Sequence, residues 1–244
     1  MATNADFGEL RYDGLTFAVH ATNSTERFTP WEVDAYLRLL QLAPSDRVLD
    51  IGANVGIFAL PASRRCAWVT AYEPDADNTA LLTWNVRRNG RGNVDVQQAA
   101  IVGDARPSVL LARPGTTTRH TVLPVAGERG SPVPAVNINT AMDVSRANIV
   151  KLDAEGAELG ILAGLTRWAP LDRLVCEWHA TLLGDVGDVA WWSIVALLRA
   201  HFPLVAWKYG LAPWEDTRLV FCSMRPTDVA LAATGWPGLR WTQG

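Results

Sequence analysis

The stretch that decides the fold is RVLDIGANVG, residues 47–56. Its first half is a short apolar run that predicts a buried strand, and an apolar helix pattern follows it through Ala62. Gly52 would let the backbone pass close to a ligand, and Gly56 would let the helix approach the sheet. A strand, glycine turn and helix in this order place a nucleotide-like ligand beyond the carboxyl end of the strand. The alternative is an ordinary tight turn.

The glycine spacing differs from the dinucleotide fingerprint G-x-G-x-x-G, because Ala53 and Asn54 occupy the place of the middle glycine. A pyrophosphate needs close backbone approach at that point. The turn therefore favours a ligand that has no phosphate there. An oxidoreductase that uses NAD or a nucleotide sugar, on a related fold, is the alternative.

A second signal stands at the end of the next predicted strand, WVTAYEP, residues 68–74. Glu73 lies on the order of 20 residues past the glycine turn, the spacing at which an acid accepts both hydroxyls of a ribose. Pro74 ends the strand, and Asn78 opens the helix after it. A Glu-Pro pair by itself would be read as solvated surface, but together with the glycine turn it predicts a ribose ligand.

A third signal is KLDAEGAE, residues 151–158, at the end of the predicted fourth strand. Three acids within six residues, next to Lys151, would be costly in a plain core and favour a polar cleft. Asp153 and Glu155 are the candidate site residues. Glu158 falls a turn into the next helix, where we expect a solvated acid favoured by the helix dipole.

The fifth predicted strand ends in Glu177-Trp178-His179. Alternation along a strand places Glu177 and His179 on one side, near the same edge of the sheet as Asp153. His179 is therefore a candidate for an active-site role, although a lone histidine is more often structural. Three other histidines lack such a context and are interpreted as surface or satisfied residues: His20, His120 and His201.

Predicted strands alternate with helices, which indicates a mainly parallel α/β sheet with a closing antiparallel pair. We divide the chain into an N-terminal lead and cap helix, residues 1–46, and one domain, residues 47–244. The predicted third strand is residues 93–102, followed by an excursion at 103–146. The remaining helices are predicted at Pro30–Leu42 with Thr29 as N-cap, Asp77–Asn89, Ala157–Trp168 and Ala190–Ala200.

Composition narrows the class of protein. The chain has 244 residues, a formal charge of −3 and only two lysines, so no basic stripe indicates a nucleic-acid partner. Three dispersed cysteines provide neither a disulfide framework nor a paired zinc site. Cys176 and Cys222 lie in apolar runs and are expected to be buried. With no signal peptide and no membrane span in the sequence, we expect a cytoplasmic enzyme.

Taken together, these motifs resemble the successive signatures of FkbM-type methyltransferases. The resemblance covers about residues 26–180, and its most specific part is the string at 151–158. It implies a Rossmann-like class I methyltransferase fold, α/β, with helices on both faces of a mostly parallel sheet. The implied sheet has seven strands in the order 3-2-1-4-5-7-6, the last one antiparallel. Residues 103–135 match nothing that can be placed.

The resemblance also implies S-adenosyl-L-methionine as cofactor, with S-adenosyl-L-homocysteine as product. Four residues would hold its methionine part: Asp50, Gly52, Asn54 and Gly56. The ribose and adenine would lie near Glu73, Pro74, Asn78, Gln98 and Ala99. Asp153 and Glu155 would face the reaction centre, and Asp153 would also contact the cofactor.

The family largely methylates hydroxyl oxygens, so the expected acceptor is a small molecule such as a sugar or natural-product intermediate. His179 is the first choice for the base that takes the hydroxyl proton, and Asp153 and Glu155 are its competitors. No metal is predicted, although a divalent ion on these residues and Glu177 is an alternative. A non-catalytic adenosyl-binding module is another. The oligomeric state stays open, with a homodimer as one option.

Overall fold

The deciding stretch forms an interior strand of an eight-stranded sheet in a computed structural model of the chain. The structure describes residues 7–20, 30–112, 121–122, 130–179, 187–209, 217–225, 228 and 240–243. The strands are β1 Phe7–Tyr12, β2 Leu15–His20, β3 Arg47–Ile51, β4 Trp68–Tyr72, β5 Val94–Gln97, β6 Ala100–Val102, β7 Ser108–Leu111, β8 Ser131–Asn137, β9 Ile149–Leu152, β10 Arg173–His179, β11 Leu204–Tyr209, β12 Thr217–Ser223 and β13 Arg240–Gln243. The helices are α1 Pro30–Leu40, α2 Ala59–Ser63, α3 Ala76–Arg88, α4 Ile138–Ser145, α5 Glu158–Gly164 and α6 Gly187–His201.

The larger sheet has the strand order β5-β4-β3-β9-β10-β12-β11-β13. The strands from β5 to β10 are parallel, and β12 is antiparallel to both of its neighbours. Numbered along the chain, seven of these strands lie in the order 3-2-1-4-5-7-6. An eighth strand, β13, was not predicted and pairs antiparallel with β11. The carboxyl ends of β3, β4 and β9 therefore meet at one edge, where such sheets bind ligands.

The prediction of one third strand over residues 93–102 is wrong. β5 ends at Gln97 and pairs with β4, whereas β6 begins at Ala100 and pairs with β8. Between them, the Ala99 N–H donates to the Gln97 carbonyl at 3.1 Å, a tight turn that breaks the extended ladder. β6, β8 and β7 form a separate three-stranded sheet, which gives part of the unassigned excursion a regular structure.

Helix α3 begins one residue before its predicted start because Asp75 is its N-cap. The Asp75 carboxylate accepts from the backbone N–H groups of Asp77 at 2.9 Å and Asn78 at 3.0 Å. Asn89 is the C-cap, and Gly90 follows with a φ of +61°. The predicted Asn-Gly stop is thus confirmed.

Other helix ends differ from the prediction. α1 stops at Leu40, since Gln41 adopts a φ of +40°. α5 stops at Gly164, four residues before the predicted Trp168, because Leu165 is extended with a ψ of 122°. α6 is longer than predicted, and the Thr29 N-cap lies outside the described residues.

Both faces of the sheet are covered, as predicted. Along β3, Leu49 and Ile51 join the core under α4, α5 and α6, while Val48 joins the core under α1, α2, α3 and the β1–β2 hairpin. Cys176 and Cys222 are buried, as expected. In the part of the chain that the structure describes, no helix is long and apolar enough to cross a membrane.

The β1–β2 hairpin is tied to the domain by a buried amide. Asn85 of α3 is fully buried, and its Oδ1 accepts from the Ala18 N–H at 2.7 Å. Its Nδ2 donates to the carbonyls of Ala18 at 3.0 Å and Val55 at 2.8 Å. One side chain therefore joins hairpin, helix and glycine turn.

We expect Asn85→Ala to lower the free energy of unfolding by about 3 kcal/mol, because it leaves buried backbone groups without partners. Arg87→Ala on the exposed side of the same helix is the matched control and should change it by less than about 0.5 kcal/mol. Urea denaturation of both variants measures the difference. Equal effects would show that Asn85 contributes only helix propensity.

Candidate active site

An open pocket of about 600 Å³ lies at the carboxyl ends of β3, β4 and β9. Its place, at the carboxyl ends of parallel strands, is that of a small-molecule site in an α/β sheet. Seven of the ten predicted cofactor contacts line it, namely Gly52, Asn54, Glu73, Pro74, Asn78, Ala99 and Asp153. Of the predicted catalytic residues, Asp153 and Glu155 line it as well. The sequence motifs thus converge on one cavity.

Gly52 is required by the geometry of the turn. Its φ is +75°, and a Cβ at this position would lie 1.7 Å from the Asp153 carbonyl oxygen. The N–H groups of Gly52 and Ala53 both donate to the Tyr72 carbonyl at 3.0 Å, so the turn is fastened to β4. Asn54 follows with a φ of +52°, a conformation that asparagine tolerates better than most residues. The backbone alone forms this side of the pocket.

Glu73 presents a buried carboxylate to the pocket. It is 5% exposed, and its oxygens accept from the N–H groups of Asn54 at 2.8 Å and Asp75 at 2.9 Å. Burial raises the pKa of Glu73 to about 7, although hydrogen bonds from Asp75, Asn54 and the Asn78 side chain oppose the shift. A carboxylate offers about four lone-pair sites, and these three donors leave one for a further hydrogen bond.

The start of α3 forms the wall beside Glu73. Asn78 is 2% exposed, and its Oδ1 lies 3.0 Å from the His20 Nε2 at the end of β2. Thr79 donates from its hydroxyl to the Glu73 carbonyl at 2.9 Å. His20 was interpreted as a surface or satisfied histidine, and it is a satisfied one that links the hairpin to the pocket wall.

Three predicted cofactor contacts lie outside the pocket wall. Asp50 is fully buried under the turn, where its Oδ1 is 3.4 Å from the Lys151 Nζ. Gly56 packs the following helix, because a Cβ there would lie 2.5 Å from Leu82 and 2.6 Å from Leu60. Gln98 is exposed. Asp50 and Gly56 therefore support the pocket from beneath or behind, and Gln98 does not line it.

Lys151 connects the glycine turn to the acidic loop after β9. Its Nζ donates to the Gly52 carbonyl at 2.9 Å and lies 3.2 Å from the Asp153 carboxylate. Burial alone would lower the pKa of Lys151, but the carboxylates of Asp153 and Asp50 raise it above its usual value. Burial raises the pKa of Asp50, against the effect of Lys151. Beneath the pocket, the lysine therefore links the glycine turn to the acidic loop through a hydrogen bond and ion pairs.

The expectation of a solvated Glu158 is wrong. Glu158 is fully buried, and its carboxylate accepts from the backbone N–H groups of Ala154 at 2.9 Å and Gly156 at 3.0 Å. It folds the acidic loop back on the start of α5, where Glu155 and Gly156 have φ angles of +47° and +99°. No sequence pattern distinguishes this acid from one that faces water.

His179 lies among four carboxylates. Its Nδ1 is 3.1 Å from Glu158, and its Nε2 is 3.6 Å from Glu155, 3.8 Å from Glu177 and 4.0 Å from Asp153. Burial disfavours the charged ring, but Glu158, Glu155 and Glu177 outweigh it and raise the pKa of His179 well above its usual value. These surroundings favour the charged form of the ring. The role of His179 as the base stays a prediction.

Tyr36 is a neighbour of the site that the motifs did not reveal. Its hydroxyl donates to Glu177 at 2.6 Å, and the two residues are 141 positions apart. Burial and the charges of Glu177, Asp153 and Glu32 raise the pKa of Tyr36. Burial and Asp153 raise the pKa of Glu177 to about 8, while His179 and Tyr36 act in the opposite direction. Helix α1 thus reaches the carboxyl end of β10.

The donor atoms of Asp153, Glu158 and His179 lie within 4.8 Å of one another, a spacing compatible with a metal ion. The Glu158 carboxylate is already occupied by two backbone N–H groups and the His179 ring. An ion pair within a hydrogen-bonded loop accounts for the same grouping. We therefore assign no metal ligand here.

Strand order, glycine turn and buried acid on the second parallel strand together define a class I methyltransferase fold. The family profile described as the methyltransferase FkbM domain matches residues 50–199. The chain belongs to this family.

Relatives in the family show the extent of the similarity. The 31-O-demethyl-FK506 methyltransferase FkbM of Streptomyces tacrolimicus is 31% identical over 211 residues, 70% of this chain and 78% of that protein. The hexuronic acid methyltransferase AglP of Haloferax volcanii is 28% identical over 164 residues, 61% of this chain and 63% of AglP. The crystal structure of methyltransferase FkbM from Methylobacillus flagellatus KT superposes with a TM-score of 0.51 at 16% identity, covering 74% of this chain. This chain spans 44% of that protein.

Proposed function

We propose that this protein transfers the methyl group of S-adenosyl-L-methionine to a hydroxyl oxygen of a small molecule. The observation that carries the proposal is the pocket beside Glu73, where a buried carboxylate faces a backbone turn that accepts no side chain at Gly52. Membership of a methyltransferase family favours this chemistry over the oxidoreductase alternative.

The pocket fits an adenosyl cofactor without phosphate groups. The turn at Gly52 has no room for a side chain beside the end of β9, and Glu73 keeps a lone pair for a ribose hydroxyl. The nonpolar lining from Ile51, Tyr72, Ile101 and Val122 offers surface for the adenine. The bound cofactor supplies a methyl group on a positively charged sulfur.

The acceptor that we propose is a sugar or natural-product alcohol rather than a nucleic acid or a lipid. The names of two relatives support it, because one acts on 31-O-demethyl-FK506 and the other on a hexuronic acid. The near-balanced charge and the scarcity of lysine also favour a small molecule.

The loop after β9 contains the groups that can receive the hydroxyl proton. Asp153 and Glu155 line the pocket and are the candidate bases, and the Lys151 ammonium 3.2 Å from the Asp153 carboxylate favours its ionised form. In the proposed step the methyl–sulfur bond breaks as the methyl–oxygen bond forms, and the proton passes to the carboxylate. Alignment of the two reactants would supply most of the rate.

The test is methyl transfer by the purified chain to a panel of neutral sugars, uronic acids and polyketide alcohols. We expect a product heavier by one CH₂ group and inhibition by S-adenosyl-L-homocysteine. Cofactor binding without methylation of any acceptor class would favour the non-catalytic binding module, and absence of cofactor binding would refute the proposal.

Cofactor affinity should depend on pH through Glu73. In the proposed complex a ribose hydroxyl donates to the ionised carboxylate, and the pKa of Glu73 before binding is about 7. Binding is therefore strongest above pH 7 and weakens as pH falls, by roughly tenfold per unit once the acid is protonated. Calorimetric titrations between pH 8 and pH 6 measure this, and a flat profile would contradict it. Glu73→Gln should bind weakly and without this pH dependence.

A further inference from the structure

We propose that Glu158 holds His179 as a fixed cation, and that this cation positions the carboxylates of Asp153, Glu155 and Glu177 at the acceptor side of the site. This inference rests on the proposed function, because it assigns His179 and Glu158 as positioning residues of the methyl-transfer centre. The base is then a carboxylate of the loop after β9.

The first observation is the way Glu158 joins three elements. This carboxylate at the first residue of α5 accepts from the loop N–H groups of Ala154 and Gly156 and from the His179 Nδ1 on β10. It is fully buried, so it has no water to replace these donors. An uncharged amide at this place would still accept from the loop N–H groups, but it would remove the charge that favours the protonated ring.

The second observation is the surroundings of the other ring nitrogen. The His179 Nε2 faces Glu155, Glu177 and Asp153 at 3.6 Å, 3.8 Å and 4.0 Å. Three carboxylates this close repel one another, and a cation between them offsets the repulsion. A ring that carries protons on both nitrogens cannot accept a third, so the proton acceptor must lie elsewhere.

Other charged groups lie one step further out. Lys151 is 3.2 Å from Asp153. On α1, the Tyr36 hydroxyl donates to Glu177, and the charge of Glu32 raises the pKa of both Tyr36 and Glu177. Lys151 therefore shares the charge of Asp153 with His179. The ring is also an ion-pair partner of Glu155 at 3.6 Å and of Glu177 at 3.8 Å.

The loop backbone explains why position matters here. Glu155 has a φ of +47°, unfavourable for glutamate, and its carbonyl accepts from the Thr121 hydroxyl at 2.7 Å. Strained conformations persist where the surroundings determine them, and here Glu158 binds the N–H groups on both sides of Glu155. The strain and the ion pair thus act on the same residue.

The test uses Glu158→Gln, which keeps the shape of the side chain and removes its charge. Without that charge the pKa of His179 should fall into the range between pH 6 and pH 9. At saturating cofactor we expect nearly normal kcat at pH 6 and a roughly tenfold or greater loss by pH 9. The midpoint of this loss should coincide with the midpoint of the His179 imidazole titration measured by NMR. A loss equal at every pH, with an unchanged titration, would overturn the proposal.

A second pair of variants separates a cation from a base. His179→Lys keeps a permanent positive charge and should retain at least about tenfold more kcat than His179→Gln. If His179 were the base, both variants would lose activity equally. His201→Gln, where the ring stacks on Trp168 away from the pocket, is the control and should be fully active. Equal inactivity of the two His179 variants would overturn the fixed-cation role.

The wild-type protein provides a measurement that needs no variant. We expect the His179 imidazole signals to stay those of the charged ring from pH 6 to pH 9, and a titration near pH 6.5 would overturn the proposal even if Glu158→Gln does not fold. The same signals are readable if no acceptor is methylated, so failure of the proposed function is distinguishable from failure of this inference.

Discussion

Gly52→Ala should abolish cofactor binding, with a loss of affinity of roughly 100-fold or more, equivalent to about 3 kcal/mol. The new Cβ would lie 1.7 Å from the Asp153 carbonyl oxygen, which is backbone and cannot move aside like a flexible side chain. Relief of this clash would push the glycine turn away from the end of β9. Because the same turn carries the N–H of Asn54 to Glu73, the ribose site would be disturbed as well.

The control for this variant is Gly90→Ala. Gly90 also has a positive φ, +61°, but nothing lies within 4 Å of the position that a Cβ would occupy. Both variants should lose about 1 kcal/mol or more of stability from backbone strain, and only Gly52→Ala should lose the cofactor. Thermal denaturation and calorimetric titration separate the two effects. Normal cofactor affinity in Gly52→Ala would show that the ligand lies away from this turn.

Glu73→Gln should raise the dissociation constant of the cofactor by about 10- to 100-fold, since a hydrogen bond to a charged group is worth about 1.5–3 kcal/mol. The amide has one acceptor oxygen, whereas the carboxylate has two that already accept from Asn54 and Asp75. One ribose hydroxyl would lose its partner, and the amide N–H₂ would face a backbone donor.

Asp95→Asn on β5 is the matched control for this charge removal, because the Asp95 carboxylate bonds the Gln97 side chain and does not line the pocket. It should bind the cofactor within about threefold of the unchanged protein. An equal loss in both variants would indicate a general electrostatic effect and would remove Glu73 as the ribose ligand.

Local sequence predicted the parts of the site that depend on neighbours along the chain. The turn after β3, the acid that ends β4 and the acids after β9 each follow a strand, and the carboxyl ends of parallel strands meet at one edge. For this reason Gly52, Glu73 and Asp153 were found as one site before any contact was known. The same reasoning overextended the third strand, because alternation of apolar residues does not reveal the turn at Gln98 and Ala99.

Burial and charge distinguish the buried supporting acids from the acids at the pocket, which the sequence pattern could not do. Asp50 and Glu158 belong to the same motifs as Gly52 and Asp153, yet both are fully buried, one paired with Lys151 and the other with His179. His179 was the expected base because its ordinary pKa is near neutral. The carboxylates that raise its pKa come from the loop after β9, from α5 and from β10.

The amino-acid sequence by itself determined the family, the α/β sheet and the position of the pocket, since these depend on strand, turn and helix signals that lie close together in the chain. Only the tertiary structure decided which acids face the pocket, which are buried supports, and that His179 lies among four carboxylates. Those properties depend on solvent exclusion and on charges brought together across the sheet, such as Tyr36 and Glu177, 141 residues apart. The deciding stretch at 47–56 thus locates the site, and the packing around it determines its chemistry.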